Sequence, residues 1–510
     1  MNESSLFDHT AHALKWNLLG NVTKFLLQFG ISVLLARILG PKPFGLIGMA
    51  MVIIGFGYLI SDAGFNMAVI QKEKITEEDI RSCFTAQLML GLLIFLFLWV
   101  VSPIVSRFYS EPMLVNILPA LGLSLFLQNV GMTAVSLLKK DLNFKRIQII
   151  GISSFIVGYG IVGSISAIMG LGVWSLVVAS ITSVTLQSLF SYIFAPHSIR
   201  PYVHIQSYRR LFRFGGIVTA TNVVNYIGRN MDYLISGKFF GAKILGFYTR
   251  AFDLTRLSTD RFLMALQAVI FPAYSKIQGQ FNRIGRTYKI QIGLISLITM
   301  PLFLSMALCG NTIILGLFGG EWIPAGPPLR ILCLAMPFHA IMSLAGPVLW
   351  SQDKVKQALF RQVLFLIFIS FAVWFGAKFG INGVAAGVAV AYLLRYFLLS
   401  QAAIRLTGIG WGGFFKSHVG GLVLSIIPIV SLYAVDHVLN FSGYSPWIKL
   451  GVLLFTGILS VIASVLFLPA KWFGEVPFWL YSKFGAKLPI PVQNFFESWI
   501  LRIVKHKGQR

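Results

Sequence analysis

Long, predominantly apolar stretches without a charged residue recur along the whole chain, and they restrict the folds that it can adopt. Residues 84–105, 147–168 and 450–468 are three of them. About 20 consecutive apolar residues are enough to cross the hydrocarbon core of a bilayer as an α-helix. The ten-residue alternating pattern of a membrane β-barrel is absent, and no other spanning structure satisfies the backbone in lipid. The sequence therefore predicts an all-α polytopic membrane protein.

The number of spans follows from the same pattern. Charged residues make up only 12% of the chain, against roughly a quarter in soluble domains. We predict fourteen spans, at residues 14–37, 43–70, 83–106, 113–137, 147–169, 171–195, 212–237, 244–272, 288–309, 326–350, 359–379, 381–404, 417–438 and 450–469. If the last two segments do not cross the membrane, the number falls to twelve.

Basic residues concentrate in alternate loops between the spans. The richer loops include Lys72, Lys139, Arg210 and Lys354, whereas the poorer loops include Lys42 and Lys243. The positive-inside rule assigns the richer loops and both termini to the cytoplasmic side of the membrane. Topology and attraction to anionic membrane lipid thus explain the net charge of +25, and nucleic acid is not an expected partner.

A shift of 201 positions aligns the beginning of the chain with its middle. Residues 37–45, RILGPKPFG, fall on residues 238–246, KFFGAKILG, so that Gly40 pairs with Gly241. Glycine suits such a turn because a tight reversal between helices often needs a positive φ. Six spans separate the two copies, which predicts two six-helix lobes related by a pseudo-two-fold axis along the membrane normal. A chance match of two short glycine-containing turns is the alternative.

The repeat divides the chain into four predicted domains. They are an N-terminal lobe at 1–206, a C-terminal lobe at 207–406, two accessory spans at 407–470 and a basic cytoplasmic tail at 471–510. Aromatic and basic residues interleave near Trp499 and Arg502, which is typical of an amphipathic helix at a membrane surface. Packing of this tail on the protein's own cytoplasmic face is an equal alternative.

Polar residues inside the spans fall on helical faces. The first span carries Asn21, Lys24 and Gln28, and the seventh carries Asn222, Asn225, Arg229 and Asp232. Further ionisable residues within spans are Asp62, Arg250, Asp253 and Arg395. A charge at such a depth costs at least about 2.5 kcal/mol, so these side chains are expected to face protein or water. For Arg250 and Asp253, an internal ion pair that only holds the helix is the alternative to a functional role.

The chain shows no set of residues that would carry out catalysis. We find no acidic pair in a loop, no Ser-His-Asp set and no phosphate-binding loop. Cys83, Cys309 and Cys333 are scattered, and the histidines have no ligand spacing, so neither a metal nor another cofactor is expected. The sequence therefore predicts a transporter rather than an enzyme, driven by an ion gradient or by the gradient of its own substrate.

Four short motifs carry a family resemblance. They are LLARILG at 34–40 followed by PFG at 43–45, SDAGF at 61–65, DYLIS at 232–236 and LGFY at 245–248. With these motifs the chain resembles the polysaccharide-repeat flippases of the Wzx type, in the exporter superfamily that also contains multidrug antiporters and lipid II flippases. The resemblance implies alternating access and an undecaprenyl-diphosphate-linked oligosaccharide as cargo, for surface polysaccharide synthesis. A polysaccharide polymerase or another assembly protein is a candidate partner.

The resemblance also assigns roles to the polar residues of the spans. An anionic diphosphate that leaves water needs cations and hydrogen-bond donors to replace its hydration. The implied substrate cavity comprises Lys24, Arg229, Arg250, Arg395, Asn21, Gln28, Asn222 and Asn225. The implied candidates for coupling to a proton or cation are Asp62, Asp232 and Asp253, because a carboxylate in a low-dielectric site can take up a proton.

The sequence is also compatible with three other functions. A multidrug antiporter and a lipid II flippase share the implied fold, and a polysaccharide polymerase or ligase belongs to a different class. An antiporter of cationic drugs would be expected to keep an acidic cavity, whereas basic residues here match or outnumber acidic ones within the spans. A polymerase or ligase needs a sizeable external loop, and the predicted external loops at Gly170 and Gly380 are very short.

We predict that Lys72, Lys139, Arg210 and Lys354 lie in the cytoplasm and that Lys42 and Lys243 face outside, because of the charge asymmetry between loops. Single cysteines at these positions, in a variant without the three native cysteines, are treated with a membrane-impermeant thiol reagent in intact cells. Labelling is expected only at positions 42 and 243. Labelling at position 139 but not at 243 would invert the topology.

Overall fold

The computed structural model of the protein describes residues 3–61, 69–70, 75–202, 225–256, 270, 274–440 and 443–484. These ranges are mostly helical and contain no β-strand. Within them, 12 helices are long and apolar enough to cross a membrane. The predicted all-α polytopic fold is thereby confirmed.

The first compact unit spans Met1–Thr249. Its helices are α1 (Glu3–Leu39), α2 (Pro41–Ser61), α3 (Glu77–Tyr109), α4 (Leu114–Lys140), α5 (Phe144–Ile168) and α6 (Val173–Phe194). Residues 225–249 are helical as well. A π-helical segment, Ile156–Gly163, lies within α5, where Gly158 and Gly163 leave room for α6. Small residues at such contacts let two membrane helices approach closely.

The second compact unit spans Arg250–Arg510. Its helices are α7 (Phe281–Leu308), α8 (Gly310–Phe318), α9 (Gly326–Met342), α10 (Ala345–Ser351), α11 (Val355–Ala377), α12 (Gly380–Thr407), α13 (Gly410–Asn440), α14 (Pro446–Phe467) and α15 (Val476–Phe484). Short 3₁₀ turns at Gly320–Ala325 and Ala470–Phe473 precede α9 and α15.

Twelve of the fourteen predicted spans coincide with these membrane-length helices, including the last two, α13 and α14. The spans predicted at 212–237 and 244–272 lie partly outside the described residues, although 225–256 is helical. The predicted amphipathic tail helix around Trp499 lies outside them altogether. The predicted lobes at 1–206 and 207–406 stay a prediction, since the compact units follow a different division of the chain.

The two glycine turns predicted by the repeat have the same backbone conformation. Gly40, between α1 and α2, has a φ of 69°, and Gly241 has a φ of 74°. Both values lie in the left-handed region, which glycine reaches without steric cost. The chain reverses at Gly241, because Tyr248 and Asp232 on either side of it are hydrogen-bonded although 16 residues apart. Residues 225–256 thus form a helical hairpin, which we call the 225–256 hairpin.

The two turns also pack against each other in a reciprocal way. A Cβ atom at Gly45 would overlap the carbonyl oxygen of Ala242, and a Cβ atom at Gly246 would overlap the carbonyl oxygen of Pro41. Pro41 and Gly45 lie 201 positions before Ala242 and Gly246, so each contact is the repeat equivalent of the other. The reciprocal glycine contact therefore has local two-fold symmetry, as the repeat predicts.

We expect Gly45→Ala and Gly246→Ala to lower the thermal unfolding midpoint to a similar extent, because each new methyl group meets a backbone oxygen. Overpacking of this kind typically costs about 1–3 kcal/mol. Gly30→Ala is the matched control, since a Cβ atom there has no neighbour within 4 Å. The measurement is thermal unfolding of the purified variants in detergent. A Gly45→Ala protein as stable as Gly30→Ala would contradict the close backbone contact.

Candidate functional site

The polar face of α1 is bound to α5 by a cluster of three side-chain amides. Asn21 donates a hydrogen bond to Asn17 over 3.0 Å. Gln148 of α5 donates to Asn17 over 3.0 Å and to Asn21 over 3.4 Å. Gly20 leaves the space that the Gln148 side chain occupies. Sequence reasoning missed Asn17 and Gln148, although Gln148 stands out as a polar residue at the start of an apolar span.

Lys24 lies one turn further along the same face of α1. It is partly buried, and its Nζ atom would lie 3.5 Å from a Cβ atom at Gly151 of α5. Lys24 lies nine residues, or about 14 Å, after the start of the membrane-length segment Lys15–Leu39, and about 24 Å before the Gly40 turn, so it is too deep for easy escape to either surface. The next residue of the stripe, Gln28, is also partly buried. The predicted polar stripe thus adjoins α5 and does not lie wholly against lipid.

Arg229 of the 225–256 hairpin is exposed, and Asn225 one turn earlier is partly exposed. Arg229 precedes Gly241 by 12 positions, or about 18 Å along a helix, which places it near the middle of the membrane. In the described ranges no carboxylate forms an ion pair with it. An exposed arginine at this depth is stable only where water or a polar ligand reaches it.

Asp232 has a defined partner within the 225–256 hairpin. The hydroxyl group of Tyr248 donates a hydrogen bond to its Oδ2 atom over 2.6 Å, and both side chains are buried. The ring of Tyr248 also meets that of Tyr233 edge to face, at 5.8 Å between centroids. The bond joins the two arms of the hairpin, so Asp232 supports the fold of this element whatever else it does.

In the second unit, Arg250 and Asp253 form the internal ion pair that the sequence offered as an alternative. Their Nη1 and Oδ2 atoms are 3.8 Å apart, with 16% and 38% of the respective side chains exposed. The distance is at the long end for a salt bridge, and the i, i+3 spacing lies within one helix. Such a pair contributes about 0.2–0.5 kcal/mol to an exposed helix. A further role in the transport of substrate stays a prediction.

Arg395 of α12 contacts two residues of another helix, α11. Its Nη2 atom donates a hydrogen bond to Oε1 of Gln362 in α11 over 2.7 Å. The guanidinium group also lies 4.5 Å from the ring centroid of Phe365. A neutral acceptor and an aromatic face hold the cation without neutralising its charge. Gln362 is a third polar residue that sequence reasoning missed, because its partner lies 33 positions away.

The structure therefore joins some of the predicted site residues and leaves others apart. Asn21 and Lys24 adjoin α5, whereas the described contacts do not connect Lys24 to Arg229. Asn222 and Asp62 lie outside the described residues. Among the residues described, no group of three His, Cys, Asp or Glu side chains could hold a metal ion.

Comparison with known proteins agrees with the expected family. The chain is 24% identical over 452 residues to the lipopolysaccharide biosynthesis protein WzxC of Escherichia coli (strain K12), covering 86% of this chain and 89% of that protein. It is also 24% identical over 461 residues to the succinoglycan biosynthesis transport protein ExoT of Rhizobium meliloti (strain 1021), covering 89% and 91%.

A similar fold occurs among solved structures. The lipid II flippase MurJ, in an inward closed conformation, superposes with a TM-score of 0.68 at 16% identity, over 88% of this chain and 97% of that one. The profile of the family described as "Polysaccharide biosynthesis protein" matches residues 34–327. This match covers more than half of the chain, and the protein accordingly belongs to the polysaccharide biosynthesis protein family, as its resemblance to the Wzx-type flippases led us to expect.

Proposed function

We propose that this multi-pass inner-membrane protein is a flippase that moves undecaprenyl-diphosphate-linked oligosaccharide units from the cytoplasmic to the outer leaflet, for surface polysaccharide synthesis. The observation that carries the proposal is the match, over more than four fifths of the chain, to two proteins named for polysaccharide synthesis and transport. Both termini are placed in the cytoplasm on this proposal, by the charge asymmetry of the loops.

The chemistry of the spans supports an anionic lipid-linked cargo. A diphosphate loses its hydration when it enters the membrane, so it needs fixed cations and donors along its path. Arg229 is exposed near mid-membrane without a carboxylate partner in the described ranges, and Arg395 is held by neutral groups. Arg250 and the amides Asn21, Gln28, Asn222 and Asn225 are assigned to the same path.

Alternating access requires some part of the reciprocal glycine contact to open. At Gly45 and Gly246 that contact is formed by backbone against backbone, and further along α2 the side chains of Leu245 and Tyr226 pack against Gly48 and Gly55. The 225–256 hairpin is also held by Lys238, which donates to the Phe108 carbonyl over 2.6 Å, and by Glu111, which accepts from the Ala242 amide over 3.2 Å. We infer that these few bonds separate when the path opens on the side of the turns.

Lys24 and Arg229 are proposed to contact the same anionic group from equivalent helices. Arg229→Ala should lower the affinity for a polyprenyl-diphosphate sugar roughly ten- to hundredfold, because a charge-assisted contact is worth about 1.5–3 kcal/mol. Arg229→Lys should lower it less, since lysine keeps the charge but loses the planar fork. Lys24→Arg should change it little. The measurements are binding to the purified variants and surface polysaccharide in cells.

Arg107→Ala is the matched control for Arg229→Ala, because Arg107 is an exposed arginine at the last turn of α3. It should leave binding and export unchanged. If Arg229→Ala inserts stably and still binds and exports like the wild type, the proposed basic cavity is wrong. If the wild type binds lipid II and not the polyprenyl-diphosphate oligosaccharide, the proposed cargo is wrong.

Asp62, Asp232 and Asp253 are proposed as the carboxylates that couple transport to a proton or cation, and Asp232 allows a sharp test. Tyr248→Phe removes the donor to Asp232 but keeps the ring, so it should destabilise the protein by about 1.5–3 kcal/mol. Asp232→Asn removes the ionisable group as well. In liposomes we expect Tyr248→Phe to keep the response of transport to a pH gradient and Asp232→Asn to lose it. If transport by Asp232→Asn still responds to the pH gradient like the wild type, Asp232 has only a structural role.

A further inference from the structure

An open groove lies in the second unit, between α7, α9 and α13. Its volume is about 470 Å³, within the range of roughly 300–1,000 Å³ of small-molecule sites. Most of its lining is apolar, and the single charged side chain is that of Arg330. Its lining includes Leu304, Leu308, Arg330, Leu334 and Ile429.

Arg330 is anchored at the rim of this groove by one of its five N–H groups. Its Nε atom donates to the carbonyl oxygen of Ala307 over 3.1 Å, near the end of α7. Its aliphatic stem passes over Gly310, where a Cβ atom would come within 2.6 Å of the Arg330 Cγ atom. The two terminal nitrogens carry the other four donors. In the ranges that the structure describes, no carboxylate pairs with this exposed guanidinium group.

The bond to Ala307 places the cation of Arg330 at the level of the lipid headgroups. Ala307 is the second-last residue of α7, which with 28 residues is about 42 Å long and exceeds the roughly 30 Å of the hydrocarbon core. Leu304 and Leu308 occupy the last turn and a half of α7, on the same side of the membrane. Leu334 lies one turn deeper than Arg330 and is 55% exposed. The groove thus combines a cation at the interface with an apolar wall at the depth of hydrocarbon chains.

We propose that the groove is a binding site for one anionic phospholipid. The headgroup phosphate accepts hydrogen bonds from the terminal nitrogens of Arg330, and one acyl chain lies along Leu308, Leu334 and Ile429. A soluble anion would leave the apolar wall unused, and a neutral lipid would leave the guanidinium group without a counter-charge. An anionic phospholipid satisfies both, because its charge and its hydrocarbon are joined at the spacing that the groove offers. This site is additional to the substrate path proposed above and independent of it.

The test is native mass spectrometry of the purified full-length protein with phosphatidylglycerol or phosphatidylcholine of the same chain length. The wild type should retain one phosphatidylglycerol in preference to phosphatidylcholine. Arg330→Gln should reduce its retention about tenfold, as expected for the loss of one charge-assisted contact. Leu334→Gln should weaken both lipids by making the wall polar, and Arg330→Lys should keep most of the preference. Arg107→Gln is the control and should match the wild type.

Thermal unfolding in lipid-free detergent, run in parallel, shows whether Arg330→Gln remains folded without its bond to Ala307. If Arg330→Gln unfolds, Leu334→Gln still tests the proposal, since Leu334 is 55% exposed and its replacement keeps the donor of the Arg330 bond to Ala307. Equal retention of the two lipids by the wild type, or full retention by a folded Arg330→Gln, would overturn the proposal. Displacement of phosphatidylglycerol by inorganic phosphate alone would also overturn it. Displacement by an equal amount of polyprenyl phosphate would do the same, because the groove would then be part of the substrate path.

Discussion

The cost of placing polar groups in hydrocarbon determines most of this structure. Each unsatisfied backbone N–H or C=O group costs several kcal/mol there, so the chain crosses the membrane as helices. The same cost applies to side chains, and it explains why the polar residues of the spans have partners of different kinds. Asp232 accepts a hydrogen bond from a tyrosine, and Arg330 donates one to a backbone carbonyl. Arg395 donates to a glutamine and lies over the ring of a phenylalanine.

Most of these partners are neutral, and this has a functional consequence. A carboxylate beside each arginine would cancel its charge and leave little attraction for an anionic ligand. An amide, a carbonyl oxygen or an aromatic ring fixes the position of the guanidinium group and preserves its charge. In the described part of the second unit, Arg250 lies 3.8 Å from Asp253 and Arg286 lies 3.4 Å from Glu475, whereas Arg395 donates to an amide and Arg330 to a backbone carbonyl. A cation that neutral groups hold, such as Arg395, suits the diphosphate cargo that we propose.

The sequence predicted what depends on local pattern and missed what depends on distant partners. The spans follow from runs of apolar residues, and the turns at Gly40 and Gly241 follow from a nine-residue match, so both could be read along the chain. The amide cluster joins Asn17 to Gln148 across 131 positions, and Arg395 meets Gln362 across 33. Nothing local marks such pairs, because tertiary packing of separate helices brings them together. The groove at Arg330 was missed for the same reason, since three helices build it.

The reciprocal glycine contact connects the repeat to the energetics of opening. Moving the 225–256 hairpin away from α2 and α3 breaks the bonds of Lys238 and Glu111 and the bond from the Tyr226 hydroxyl to the Met51 carbonyl, at 2.9 Å. Two charge-assisted bonds at about 1.5–3 kcal/mol and one neutral bond at about 0.5–1.5 kcal/mol give a cost of a few kcal/mol. A ligand must favour one state by about 5.5 kcal/mol to move a two-state equilibrium from 1:99 to 99:1. The two quantities are of the same size. The side chains of Tyr226 and Leu245, which pack against Gly55 and Gly48 of α2, add to this cost, so the polar bonds alone give only its lower limit.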